Sequence, residues 1–234
     1  MKTTIIFLTM LVLLCQCTQN DATPNESTAV FIGIDKTHST EYSSPVSAED
    51  ILSSIYDESG SLDVFISEIN DVSLNRISRH HLGQKKRLES SLVRNDEASE
   101  FYASLDEKLK KVFEEPNGKQ QSSIYLMLCR MVEELLRTGT TEPKVVLFTD
   151  FVENALSTTS FYSLYKQNPD FDESYDSIVA SLESAETLPD LSGIEILVVF
   201  QPDQSTEGLF LQTRKFWSRH LTSKGAQIRF VANL

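Results

Sequence analysis

The sequence predicts an α/β protein with a doubly wound, mostly parallel sheet that carries helices on both faces. Short, continuously apolar runs rich in Val, Ile and Phe recur along the chain, which is typical of strands buried on both faces. Longer segments between them place apolar residues at helical spacing, and this alternation favours parallel strands joined by crossover helices. Two of the apolar runs end on an aspartate, Asp35 and Asp150. Because ligands of open parallel sheets bind at the carboxyl ends of the strands, these aspartates indicate where a site would lie.

The first residues have the features of a targeting segment. Lys2 provides a positive charge and residues 5–14 provide an apolar core that is too short to span a membrane. A cysteine directly after such a core resembles the signal of a bacterial lipoprotein. The resemblance implies a signal peptide over residues 1–16, acylation of Cys17, and an exported, lipid-anchored protein of the cell envelope, on the periplasmic or outer-membrane side. Processing at Cys15, or cleavage without lipidation, stays open.

A polar segment separates this signal from the predicted domain. Residues 17–28 contain few apolar side chains and one proline, Pro24, which indicates a flexible tether. The domain itself is expected to span residues 29–234, a length that suits one domain. The predicted strands lie at residues 29–34, 62–69, 77–82, 144–149, 194–200 and 228–231.

Four helical segments are expected between these strands. They are predicted from Ser47 to Gly60, within residues 84–115, from a cap at Ser122 or Ser123 to Gly139, and around residues 208–221. The aromatic segment Ser157–Tyr175 follows Asp150 along the chain. Two hypotheses remain open for it: it shapes the choice of partner beside the site, or it packs back onto the domain.

The charge balance narrows the class of partner. The chain has 34 acidic and 21 basic residues and a formal net charge of -13. A field of this sign repels phosphates, so nucleic acid is not an expected partner. A cation or a basic protein suits the composition better.

Oxygen-bearing side chains cluster around the two strand-end aspartates. Asp35, Thr37 and Ser39 stand two residues apart on one predicted loop, Ser122 stands at the start of a helix, and Asp150 follows Thr149. This pattern resembles the metal-ion-dependent adhesion site of von Willebrand factor A-type domains. That family usually has serine where this chain has Thr37, threonine where it has Ser122 or Ser123, and often glycine after the last aspartate, where this chain has Phe151.

The resemblance implies a Rossmann-like sheet with a divalent cation at its carboxyl edge. Mg²⁺ is the first expectation, with Mn²⁺ and Ca²⁺ as alternatives, and Asp35, Thr37, Ser39, Ser122 and Asp150 are the expected ligands. Hydroxyl and carboxylate oxygens are the donors that such hard cations prefer. An acidic side chain of a partner protein would complete the shell. The expected function is therefore metal-dependent protein binding, which requires no catalysis.

Two other functional classes stay open for this sequence. A Mg²⁺-dependent phosphatase would use Asp35 as nucleophile, as haloacid-dehalogenase-like enzymes do, but Thr37 stands where their second acid is expected. A structural envelope lipoprotein with a degenerate metal site is the remaining alternative. Nucleotide binding is disfavoured because the chain has neither Gly-x-Gly-x-x-Gly nor a phosphate-binding Gly-x-x-x-x-Gly-Lys motif.

Overall fold

The computed structural model describes residues 27–37, 46–53, 56, 60–70, 76–86, 89–115, 121–202 and 204–234. These residues form one six-stranded sheet with the strand order β3-β2-β1-β4-β5-β6. The strands are β1 (Ser27–Asp35), β2 (Ser61–Ile69), β3 (Ser78–Leu82), β4 (Glu142–Phe148), β5 (Glu195–Val199) and β6 (Gln227–Val231). All neighbouring strands are parallel except β3, which pairs antiparallel with β2 at the edge. The predicted α/β class with a mostly parallel, Rossmann-like sheet is confirmed.

Helices cover both faces of this sheet. They are α1 (Ala48–Leu52), α2 (Ser91–Glu114), α3 (Ile124–Thr138), α4 (Phe161–Gln167), α5 (Tyr175–Ala185) and α6 (Glu207–Ser223). Alternate residues of each strand point to opposite faces, so the strands contribute to two hydrophobic cores. One core contains α1 and α2, and the other contains α3 and side chains of α4, α5 and α6. This arrangement confirms the predicted helices on both faces.

Local sequence signals locate several helix ends correctly. The hydroxyl of Ser47 accepts from the amide of Asp50, and the Asp50 side chain accepts from the Ser47 amide, so the predicted cap is formed. The helix that follows this cap, α1, ends at Leu52 and not at the predicted Gly60. The charged segment forms the single long helix α2, capped by Ser90. Helices α4 and α5 are absent from the prediction, and β1 starts at Ser27, two residues inside the predicted tether.

The strand order places a topological switch point between β1 and β4. The chain runs outward from β1 to β2 and β3 on one side, and from β4 to β5 and β6 on the other. Connections that leave neighbouring parallel strands toward opposite faces open a crevice at their carboxyl ends, which is where ligands of such sheets bind. Asp35 is the last residue of β1, and Asp150 follows β4 by two residues. Both predicted acidic ligands therefore lie at the switch point.

Several predictions concern residues that the structure does not describe. The signal peptide, Cys17 and nearly all of the tether belong to residues 1–26, and the predicted ligand Ser39 belongs to residues 38–45. In the part of the chain that is described, no helix has the length and apolar character needed to cross a membrane.

Candidate metal site

Asp35 is the centre of a buried hydrogen-bond network. Its side chain is 0% exposed, and Oδ2 accepts from the hydroxyls of Ser122 at 3.0 Å and Thr149 at 2.8 Å. Oδ1 accepts from the backbone amide of Thr37 at 3.0 Å. The carboxylate thus joins the end of β1 to the residue after β4 and to the segment that precedes α3. Three parts of the chain that are far apart in sequence meet at one acidic group.

Asp150 lies next to this network and is also buried. Its Oδ1 accepts from the amide of Val152 at 2.9 Å, and the hydroxyl of Tyr162 donates to Oδ2 at 3.5 Å. Its neighbour Thr149 is the residue whose hydroxyl binds Asp35. The structure therefore brings the two predicted acidic ligands to the same part of the crevice.

The turn after Asp150 has an unusual backbone conformation. Phe151 has φ of +61°, the only positive φ at a non-glycine residue in the described segments. A bulky side chain in this region is strained, so the surroundings must hold it in place. The Phe151 amide donates to Thr149 Oγ1 at 2.9 Å, and its carbonyl accepts from Trp217 Nε1 at 2.8 Å. Phenylalanine thus adopts the left-handed turn that glycine adopts readily.

A distant carboxyl group caps the amino end of α3. Ser123 occupies the N-cap position, but its side chain makes no capping hydrogen bond. Instead, Oε2 of the fully buried Glu153 accepts from the amide of Tyr125 at 2.8 Å. The hydroxyl of Thr158 donates to the other oxygen of Glu153. The helix starts where predicted, but the expectation that a serine hydroxyl caps it is wrong, because Glu153 performs this role and Ser122 binds Asp35.

Burial dominates the electrostatics of these acids. Removal from water raises the pKa of Asp35, although hydrogen bonds from Thr149, Thr37 and Ser122 oppose the shift. Burial also raises the pKa of Glu153 to about 7, against the hydrogen bonds that it accepts, and the nearby Asp35 raises it further. Desolvated carboxylates of this kind are stabilised in their charged form by a nearby cation.

The side chains present fit a hard divalent cation. The hydroxyls of Ser122 and Thr149 give their hydrogens to Asp35, so their oxygens keep lone pairs that could bind a metal. Ser123 adds a hydroxyl that is 0% exposed and has no hydrogen-bond partner among the described residues. A site of this type differs from a carboxylate or histidine cage: no group of three or more His, Cys, Asp or Glu residues suited to a metal occurs within the described ranges.

Four of the five predicted ligands belong to this network, through either a side chain or a backbone group. Asp35, Thr37 and Ser122 are linked directly, and Asp150 is joined to them through Thr149, whereas Ser39 is not described. Two groups were missed as contributors: the Thr149 hydroxyl and the Glu153 carboxyl. The position of Thr149 directly before Asp150 was an available signal. No local pattern marks Glu153, because it acts on a helix that precedes it by 28 residues.

No protein-family model matches this chain, and no curated protein matches it significantly.

Substitution of Ser123 tests whether its hydroxyl contributes to folding. A buried hydroxyl without a partner costs free energy, so Ser123→Ala is expected to leave the free energy of unfolding unchanged or to raise it by up to about 1 kcal/mol. Urea unfolding in the presence of EDTA measures this value without a metal contribution. Ser122→Ala is the matched control, and it should destabilise the protein because it removes a buried bond to Asp35. Equal destabilisation by both substitutions would contradict the expectation.

Proposed function

We propose that this protein is a metal-ion-dependent protein-binding module. Asp35, Thr37, Ser39, Ser122 and Asp150 would hold a divalent cation, with Mg²⁺ as the first candidate. An acidic side chain of a partner protein would then occupy the remaining coordination position. This is the function expected from the resemblance to the adhesion site of von Willebrand factor A-type domains. The proposal includes a cell-envelope location with a lipid anchor at Cys17.

One observation supports this proposal above the others. The buried Asp35 carboxylate accepts hydrogen bonds from two hydroxyl groups, those of Ser122 and Thr149, which lie in different parts of the fold. This arrangement is preorganised for a cation because the oxygens are already held together and sit at the switch point of the sheet. Neutral hydroxyl ligands leave a bound cation with more residual charge than carboxylates would. Such a cation attracts a carboxylate from outside the chain.

The residues of this chain would hold the cation and orient the oxygen atoms that bind it. The Asp35 carboxylate fixes the hydroxyls of Ser122 and Thr149, and the Thr37 amide fixes the second Asp35 oxygen. A bound cation would supply Lewis acidity toward the carboxylate of the partner. No covalent bond needs to form or break for this function.

Calorimetric titration with Mg²⁺, Mn²⁺ and Ca²⁺ tests the proposal. We expect saturable binding by the native protein and at least about a tenfold loss of affinity in Asp35→Asn and in Asp150→Asn, since each loses a charged oxygen ligand. Asp190→Asn is the matched control. Asp190 is exposed, accepts from Ser192 in a loop that precedes β5, and therefore lies toward the opposite edge of the sheet.

The outcome is decisive in either direction. Loss of affinity in the two site variants, with the control unchanged, would support the proposed ligands. Absence of saturable binding to all three cations by a folded native protein would contradict the proposal. Equal effects of all three substitutions would show that net charge, and not the site, governs binding.

A further inference from the structure

A polar cavity opens at the same edge of the sheet as the candidate metal site. It has a volume of about 310 Å³ and lies between the carboxyl end of β2 and the last turns of α2. Three basic side chains line it: Arg76, Lys108 and Lys111. We refer to the space lined by these three residues as the basic cavity.

The basic side chains of this cavity are not neutralised by ion pairs. Within the described segments, none of Arg76, Lys108 and Lys111 has a carboxylate within the 4.0 Å of an ion pair. The cavity therefore concentrates positive charge on a protein whose overall field is negative.

Two glutamates also line the cavity, but they interact with each other. Burial and, after it, the neighbouring Glu115 carboxyl raise the pKa of Glu68, while the charges of Lys36 and Lys108 oppose the shift. Two neighbouring carboxyls resist double ionisation and tend to retain one proton between them. The pair therefore offsets only part of the positive charge of Arg76, Lys108 and Lys111.

The cavity lies one strand away from Asp35. Strand β2 pairs with β1, and Ile69 is directly opposite Asp35 in their register. The next residue, Asn70, lines the cavity, and its carbonyl accepts from the amide of Ser123, adjacent to the candidate ligand Ser122. Because neighbouring strands are about 5 Å apart, a single bound segment could reach both places.

We propose that the basic cavity binds a second acidic side chain of the same partner protein whose first acidic side chain completes the metal shell. This inference rests on the proposed function. Charge complementarity identifies the occupant: a carboxylate enters a space lined by three cationic side chains, beside a cation that itself attracts a carboxylate. The volume suits one aspartate or glutamate side chain with some water. The partner is thus an acidic segment with two closely spaced acids.

A labelled hexaglutamate peptide is a direct probe of this inference. Its binding to the full-length protein is measured by fluorescence anisotropy, first in EDTA and then in excess Mg²⁺. The cavity variant is the double substitution Lys108→Gln and Lys111→Gln. The control variant is Lys85→Gln and Lys86→Gln, which changes the net charge equally. Its lysines follow Leu82, which pairs with the second residue of β2 at the opposite edge of the sheet.

The expected results distinguish the contribution of the basic cavity to peptide binding from the contribution of the metal. In EDTA, the cavity variant should bind the peptide at least about tenfold more weakly than the native protein, and the control should stay within about twofold. Mg²⁺ should strengthen binding of the peptide to the native protein at least about tenfold, because a second point of attachment is added. Calorimetric Mg²⁺ affinity in the absence of peptide should be the same in both variants.

Four outcomes would overturn the inference or its basis. Equal loss of affinity in the cavity and control variants would show attraction by net charge alone and overturn the cavity site. Mg²⁺-dependent peptide binding that does not respond to the cavity variant would overturn the cavity site and leave the proposed function intact. Peptide binding that needs the cavity, in a protein that binds no cation, would overturn the proposed function and the two-point attachment. Cavity-dependent binding of phosphatidylglycerol vesicles without peptide binding would overturn the assignment to an acidic protein.

Discussion

Replacing Trp217 by alanine is expected to lower the free energy of unfolding by about 3 to 5 kcal/mol and to weaken cation binding as well. Trp217 is 0% exposed and stacks on Phe151 with ring centroids 4.8 Å apart. It also packs against Phe161 and Phe216 in the core beside α3. Truncation would leave a cavity the size of an indole ring, which the neighbouring rings can fill only in part.

The effect on the site has a separate cause. Trp217 Nε1 donates to the carbonyl of Phe151, whose left-handed backbone forms the turn after Asp150. Without the indole, a strained turn loses both its stacking partner and a hydrogen bond, so Asp150 would be held less firmly. A less preorganised ligand binds a cation more weakly.

Trp217→Phe is the matched control for these two contributions. It keeps an aromatic ring against Phe151 but removes the N–H group, so a loss of about 1 to 3 kcal/mol is expected from the unsatisfied carbonyl. Because Trp217 is the single tryptophan of the chain, unfolding must be followed by circular dichroism and not by tryptophan fluorescence. Cation affinity is measured by calorimetry on the folded Trp217→Phe protein. Unchanged stability in the alanine variant would contradict the packing described here.

Glu153→Gln and His220→Phe are expected to change the pH dependence of stability in opposite directions. Burial raises the pKa of Glu153 to about 7 from a reference value of 4.5. Burial lowers the pKa of His220 to about 4 from 6.5. Both side chains are almost fully buried, at 0% and 1% exposure, and the Nε2 atom of His220 has no partner among the residues described.

The signs follow from proton binding in the folded and unfolded states. Between pH 4.5 and 7 the folded state holds the Glu153 proton more tightly than the unfolded state, so the stability from this group is present at low pH and is lost as pH rises through 7. Between pH 6.5 and 4 the unfolded state protonates His220 first, so the stability from this group is present above pH 6.5 and is lost as pH falls through 4. Each contribution is about 3 kcal/mol. In the native protein the two opposite changes of stability with pH largely cancel between pH 4.5 and 6.5, where both groups contribute.

Each variant removes one of the two opposing slopes. Relative to the native protein, Glu153→Gln should gain stability as pH rises from 4.5 to 7, because a neutral amide replaces a buried carboxyl that must ionise. His220→Phe should gain relative stability as pH falls from 6.5 to 4, because no buried ring must accept a proton. Urea unfolding at a series of pH values, in EDTA, measures both differences. A constant difference from the native protein across pH would contradict the corresponding assignment.

Much of the fold could be predicted from the sequence because its signals are local. A continuous apolar run marks each of the central strands β1, β4 and β5, and the capping pair Ser47 and Asp50 marks the start of α1. Strand ends that carry Asp35 and Asp150 also followed from the sequence, and with them the carboxyl edge as the place of the candidate site. These features depend on residues within one turn or one strand, so neighbouring residues suffice to specify them.

Only the tertiary structure shows which distant side chains meet. Thr149 binds Asp35 across 114 residues, and Glu153 caps a helix that precedes it, because β4 returns beside β1 at the switch point of the sheet. The left-handed turn at Phe151 likewise depends on the Trp217 indole, which α6 brings from 66 residues away. No strong local pattern marks the short helix α4. Its first residue, Phe161, packs in the core against the rings of Phe171 and Phe216. Strand order determines all of these contacts, and no periodicity along a single segment encodes it.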